Sequence, residues 1–110
     1  MKTYSVHITA AAKRDVINAV NHIDIVLKNP IAADALLDAF ENQVNELSSF
    51  PERYPPVHDS LLSAWGIRFA AVKNYLVLYI VDEQKSLVQI IRFVYAKSNW
   101  ISVLKGGFTV

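Results

Sequence analysis

A chain of 110 residues has the length of one domain able to bury a core unaided, and its lack of cysteine excludes disulfides, thiolate chemistry and cysteine-ligated metal. Hydrophobic residues make up 53% and charged residues 19%, an apolar balance for so small a domain that points to surface covered by a partner. The net charge of +1 hides two unlike halves, with eight acids against five bases through residue 60 and six bases against two acids after it, and a basic half suits a phosphate backbone or an acidic protein.

Residues 3 to 8 alternate Tyr4, Val6 and Ile8 with Thr3, Ser5 and His7, the period-two pattern of a half-buried strand with His7 on its polar side. The segment lacks the continuous apolar stretch of a signal peptide, and no run approaches the roughly 18 residues of a membrane span, so a soluble, cytoplasmic protein is expected. Thr9 is placed to cap a helix over Ala10–Lys28, in which Val16, Ile17, Val20, Ile23 and Val26 or Leu27 recur three and four apart. Asn29-Pro30 ends that helix and opens a second, running to about Ser49, with Ala33, Leu36, Leu37, Phe40, Val44 and Leu47 on one stripe and a solvated acidic face. Pro51, Pro55 and Pro56 then impose a rigid loop, whose Glu52, Arg53 and Tyr54 either line a site or merely connect; His58 and Asp59 follow in irregular chain.

Between Trp65 and Trp100, three runs of β-branched and aromatic residues are separated by polar breaks at Lys73-Asn74 and Asp82 to Ser86, which predicts an antiparallel meander. A short helix over Ala96–Leu104 closes the chain, stopped by Gly106-Gly107, with Phe108-Thr109-Val110 adding to the sheet or fraying. The predicted order is β-α-α-β-β-β in one α+β domain over residues 1–110. Two helices pack on one face of an antiparallel sheet, and the other face, partly exposed, carries the arginines.

Arg68 lies between Ile67 and Phe69, and Arg92 interrupts the apolar run from Leu87 to Tyr95. A strand arginine either faces solvent, pairs with a carboxylate, or joins other cations around an anion, since burying it alone costs several kcal/mol. In the last case Arg68, Arg92, Lys97 and Lys73 converge on one surface. Together with Tyr75, Tyr79 and Tyr95 they would suit RNA, guanidinium groups meeting phosphates and rings stacking on bases. No phosphate-binding glycine loop or HExxH motif is present, and His7, His22 and His58 lie in separate elements, so neither a metal nor a nucleotide cofactor is supported.

The segments Trp65-Gly66-Ile67-Arg68, Val72 to Glu83 and Ile90 to Trp100, with Pro30-x-x-Ala33 and Phe50 to Pro55 upstream, resemble the RelE/ParE superfamily of toxins from bacterial toxin–antitoxin modules. The resemblance spans nearly the whole chain. It implies a cytoplasmic toxin wrapped by an antitoxin, acting either as a ribosome-dependent mRNA endonuclease or as a poison of DNA gyrase. In the endonucleases, cations hold the scissile phosphate while the 2′-hydroxyl attacks it and a tyrosine or histidine assists proton transfer. Carried over, Arg68, Arg92 and Lys97 are the phosphate clamps and Tyr95 the acid/base, in an mRNA interferase needing no metal. Two departures bear on this set: Leu76 stands where the endonucleases have an arginine, and Arg92 and Tyr95 share a face of the strand only if a bulge intervenes.

Overall fold

Thr9 joins the two halves of the architecture. Its N–H donates to the Ile90 carbonyl at 3.0 Å and its hydroxyl to the Ile91 carbonyl at 3.0 Å, while the same oxygen accepts the Ala12 N–H at 3.2 Å. One fully buried side chain therefore ends the first strand, β1 (Ser5–Ile8), and caps the first helix, α1 (Ala10–Asn21). The structure, a computed structural model, describes residues 3–106. The remaining elements are α2 (Pro30–Ser49), α3 (Ser60–Ala64), β2 (Arg68–Val72), β3 (Tyr75–Asp82), β4 (Leu87–Tyr95) and α4 (Trp100–Lys105). The glycine Gly107 and the tail Phe108 to Val110 lie outside the described residues.

The α+β class, the helical hairpin and the meander are all present, and the sheet runs β1-β4-β3-β2. It is mixed, however, rather than antiparallel throughout. β1 lies parallel to β4, from Ser5 opposite Leu87 to Ile8 opposite Ile90. A tight turn fixes antiparallel pairing within the meander, but no turn joins β1 to β4, and nothing local in the sequence sets their relative direction.

The main core lies between the hairpin and one sheet face, built from Val16, Leu36, Phe40 and Leu47 against Val72, Val77, Tyr79, Ile90 and Phe93. Phe40 meets Phe93 edge-on at 5.3 Å between ring centroids. The opposite face, expected to be partly open, is covered by a second cluster in which Val57, Leu62, Ile67 and Leu104 pack on Leu78 and Ile91. The cover comes from α3, capped by Asp59 through the Leu61 and Leu62 N–H groups, and from α4. Asp59, expected in irregular chain, heads a helix of five residues, too short to show a periodicity.

The first helix also departs from expectation. Its α-helical part stops at Asn21, and His22–Val26 form a π-helical turn in which the Leu27 N–H reaches back to the His22 carbonyl. Ile23 of the predicted stripe still packs on the core, but beyond it Val26 and Leu27 turn outward, 63% and 59% exposed, beside Ile25 at 67%. Lys28 closes the turn with φ of 53°, and Asn29 then caps α2 by accepting the Ala32 N–H at 3.1 Å. In α2 the buried positions are Ala33, Leu36, Phe40, Gln43 and Leu47, with Val44 half-buried against the same core and Leu37 of the expected stripe exposed.

Candidate functional site at the Tyr75 end of the sheet

The two arginines expected to clamp phosphate are held within the fold, at different places. Arg92 donates from Nε to Asp15 Oδ2 at 2.6 Å and from Nη2 to Oδ1 at 3.1 Å, and Asp15 Oδ2 also accepts the Phe93 N–H at 3.1 Å. β1 has ended by this level, so the Asp15 carboxylate takes the place of a neighbouring strand along the β4 edge. The hydrogen bonds it donates to Asp15 hold the Arg92 guanidinium above its ordinary pKa, against the opposing effect of burial.

Arg68 stands opposite Tyr79, which stands opposite Ile90, so two strand spacings, roughly 10 Å, separate its backbone from β4. Its Nη1 donates to the Tyr54 carbonyl at 2.6 Å, with a longer contact to the Glu52 carbonyl, and the buried Tyr79 hydroxyl donates to the Pro51 carbonyl at 2.6 Å. Arg68 and Tyr79 thus pin the proline loop to the helix-bearing side of the sheet. Glu46 accepts from the Tyr54 hydroxyl at 3.1 Å and sits 3.8 Å from Arg53, fastening the same loop to α2. Glu52, Arg53 and Tyr54 belong to this strap.

The β-bulge does not bring Arg92 and Tyr95 together. The register passes from Leu78 opposite Arg92 to Tyr79 opposite Ile90, so the extra residue is Ile91, ahead of Arg92. From Arg92 to Tyr95 the strand is regular, and the two side chains fall on opposite faces. The expected convergence of Arg68, Arg92, Lys97 and Lys73 on one surface is therefore replaced by two internal anchors and a separate exposed end.

That end is built around Tyr75. Its ring stacks on Phe93 at 4.9 Å with an interplanar angle of 7° and meets Tyr95 edge-on at 5.5 Å. The two-residue Lys73-Asn74 connection, with Lys73 at φ of 57°, is tied to the end of β4 by the Ala96 N–H donating to the Asn74 carbonyl at 2.9 Å. Tyr95 is exposed, and the turn after it is fixed by Ser98, whose hydroxyl donates to the Tyr95 carbonyl at 2.6 Å, leaving Lys97 exposed between them. Burial lifts the Tyr75 hydroxyl above the ordinary tyrosine value, and the neighbouring Tyr95 adds to the shift. Two hollows, of about 220 and 350 Å³, flank Tyr75 and share Ile23, Asn74 and Tyr75 in their walls. Lys73 belongs to the first, and His22, Leu27 and Tyr95 to the second.

Sequence reasoning missed Asp15, whose partner is 77 positions away, and it missed His22, Ile23 and Leu27, which the π turn brings to the meander. Among the described residues no group of three or more metal-binding side chains occurs, and no helix is long and apolar enough to cross a membrane.

The sequence profile of the ParE toxin of type II toxin–antitoxin systems, of the parDE kind, matches residues 6–100. This chain belongs to the ParE toxin family. Among solved structures, a chain of the RelBE2 toxin–antitoxin complex from Mycobacterium tuberculosis is similar at 26% identity and TM-score 0.60, over 84% of this ParE-family chain and 98% of the other. A chain of the chromosomal ParDE system from P. aeruginosa shares the fold at TM-score 0.70 and 19% identity, over 86% and 98% of the two chains. No curated protein sequence matches. The RelE/ParE resemblance read from the meander and the upstream prolines is thus borne out, and the ParE-family chain is a toxin of the type II class.

Proposed function

We propose that this ParE-family toxin is neutralised by a cognate antitoxin and acts by binding its target, DNA gyrase, rather than by cleaving mRNA. The observation that carries this reading is the engagement of both strand arginines inside the fold. Arg92 is paired with Asp15, and Arg68 is anchored through Nη1 to the Tyr54 carbonyl two strands away, so the two guanidinium groups do not converge on one phosphorane. Leu76, packed against the second core cluster, supplies no charge at the position where the endonucleases have an arginine. The antitoxin is supported by the two similar structures, both from toxin–antitoxin systems.

A second reading keeps one observation in its favour. Tyr95 and Lys97 are exposed together at the end of β4, where a base could stack and a phosphate could pair, and with them an mRNA interferase would retain an acid/base and one cation. Inducing the toxin alone separates the two. Accumulated double-strand DNA breaks with intact mRNA are expected; ribosome-dependent mRNA cleavage with unbroken DNA would replace the binding reading with the catalytic one.

A further inference from the structure

Acid and base are sorted between the two helices of the hairpin. On α2, Asp34, Asp38 and Glu41 follow one another at spacings of four and three, which puts their carboxylates on one exposed face. On α1, Lys13 and Arg14 are exposed, and among the described residues none of these five side chains forms an ion pair within the chain. Like charges one turn apart repel, so the acidic face gains from cations brought by something else. Between the helices lies an apolar valley. Ile8, Lys13, Val16, Ile17 and Phe40 line a hollow of about 190 Å³, Ile17 is 57% exposed, and Leu37, one turn before Phe40, is 37% exposed. At the tip of the hairpin Ile25 and Val26 stand out into solvent. The shared hollow also sets the heights, since Lys13 and Ile17 stand level with Phe40 and therefore with Glu41 beside it.

We infer that a second copy of this chain docks on this face, about a two-fold axis running along the hairpin. Such an axis keeps every residue at its own height and lays α1 of each copy over α2 of the other. Lys13 then opposes Glu41 of the second copy, Ile17 opposes Leu37, and the two apolar tips meet. Both charged faces are matched in one docking, whereas a nucleic acid or an anionic membrane would be repelled by α2. A face about 25 Å long and two helices, roughly 20 Å, wide buries on the order of 1,000 Å² over both copies, the low end for a specific interface, so the dimer is weak, with a Kd on the order of 10 µM. The groove around Tyr75 uses the other side of α2, through Ala32 and Ala35, and stays open in the dimer.

Sedimentation equilibrium of the purified chain is the test, and wild type should pass from monomer to dimer as its concentration rises. Lys13→Glu and Glu41→Lys, both at exposed positions, should each weaken the dimer about tenfold or more, because both symmetry-related contacts then oppose like charges. An equimolar mixture of the two variants should dimerise again, since every contact in the mixed pair opposes unlike charges. Misfolded variants would not regain association on mixing. Ile17→Asp should weaken the dimer as strongly, and Lys85→Glu, an equal charge change on the exposed β3–β4 turn, should leave it unchanged. A wild type that stays monomeric throughout, or a mixture no better associated than its components, overturns the inference. So does a dimer indifferent to Lys13→Glu, Glu41→Lys and Ile17→Asp, which would put the contact on another face.

Discussion

Asp15 on α1 and Arg92 on β4, 77 residues apart, form a two-point ion pair whose carboxylate also accepts the Phe93 N–H. With side-chain exposures of 17% and 25%, neither partner is free to rehydrate fully when the other is removed. Breaking a buried pair costs roughly 3–5 kcal/mol, and partial exposure reduces that to about 2 kcal/mol for Asp15→Ala. Arg92→Met should cost less, because Asp15 keeps the Phe93 N–H. Urea unfolding of both single variants and the double variant checks this, and purely additive losses would show that the pair is not coupled.

Tyr79 and Arg68 hold the proline loop through two of its backbone carbonyls, the Pro51 and Tyr54 oxygens. Burial pushes the Tyr79 hydroxyl far above the ordinary tyrosine range, only partly offset by Arg68. Because the folded pKa is raised, the neutral hydroxyl contributes stability that is complete below about pH 10 and is lost as the pH rises above it. Tyr79→Phe should therefore cost about 1–3 kcal/mol at neutral pH and remove this part of the alkaline sensitivity. Hydrogen exchange should also quicken in residues 50–56. Identical alkaline unfolding profiles for the two proteins would contradict the assignment.

One ion pair links the two helices that cover the second sheet face. Asp59 caps α3 and lies 2.6 Å from Lys105 of α4. The hydrogen bond from Lys105 is the largest cause of its lowered pKa, followed by the Leu62 N–H. A depressed carboxyl contributes stability above its unfolded pKa and loses it as the pH falls through the folded one, so the window lies below about pH 4. Lys105→Met should be less stable than wild type at neutral pH and equal to it once Asp59 is protonated. Parallel urea titrations from pH 7 down to pH 2 measure the convergence.

These pairs also show what the sequence made legible. Thr9, Asn29 and the Lys73-Asn74 break work through neighbours a few residues away, and the two helix starts and the strand break they mark lie where the sequence predicts them. The parallel pairing of β1, the Asp15–Arg92 bond and the cover of the second face join positions far apart in the chain, and no local period encodes them. The arginines were identified as needing partners, but the choice between carboxylate and external anion rests on packing. For Arg92 it fell on the carboxylate. The π turn escaped because its sequence, His-Ile-Asp-Ile-Val, keeps an apolar rhythm that an α-helix would also satisfy.

Tyr95 decides between the two modes of toxicity. If the chain acts by binding, Tyr95→Phe removes only a hydroxyl from the edge of the Tyr75 cluster and keeps the edge-on ring contact at 5.5 Å, so growth arrest on induction should persist almost unchanged. If Tyr95 is a general acid/base, the same change should lower cleavage by roughly 10²–10⁴-fold and relieve the arrest. Lys97→Ala extends the comparison, since it removes the exposed cation beside Tyr95 without touching Asp15, Arg92 or the strap held by Arg68. Induction of each variant without antitoxin, scored by growth and by the integrity of mRNA and DNA, gives the result. Relief of arrest by Tyr95→Phe, accompanied by restored mRNA, would make the end of β4 a nuclease site despite the two sequestered arginines.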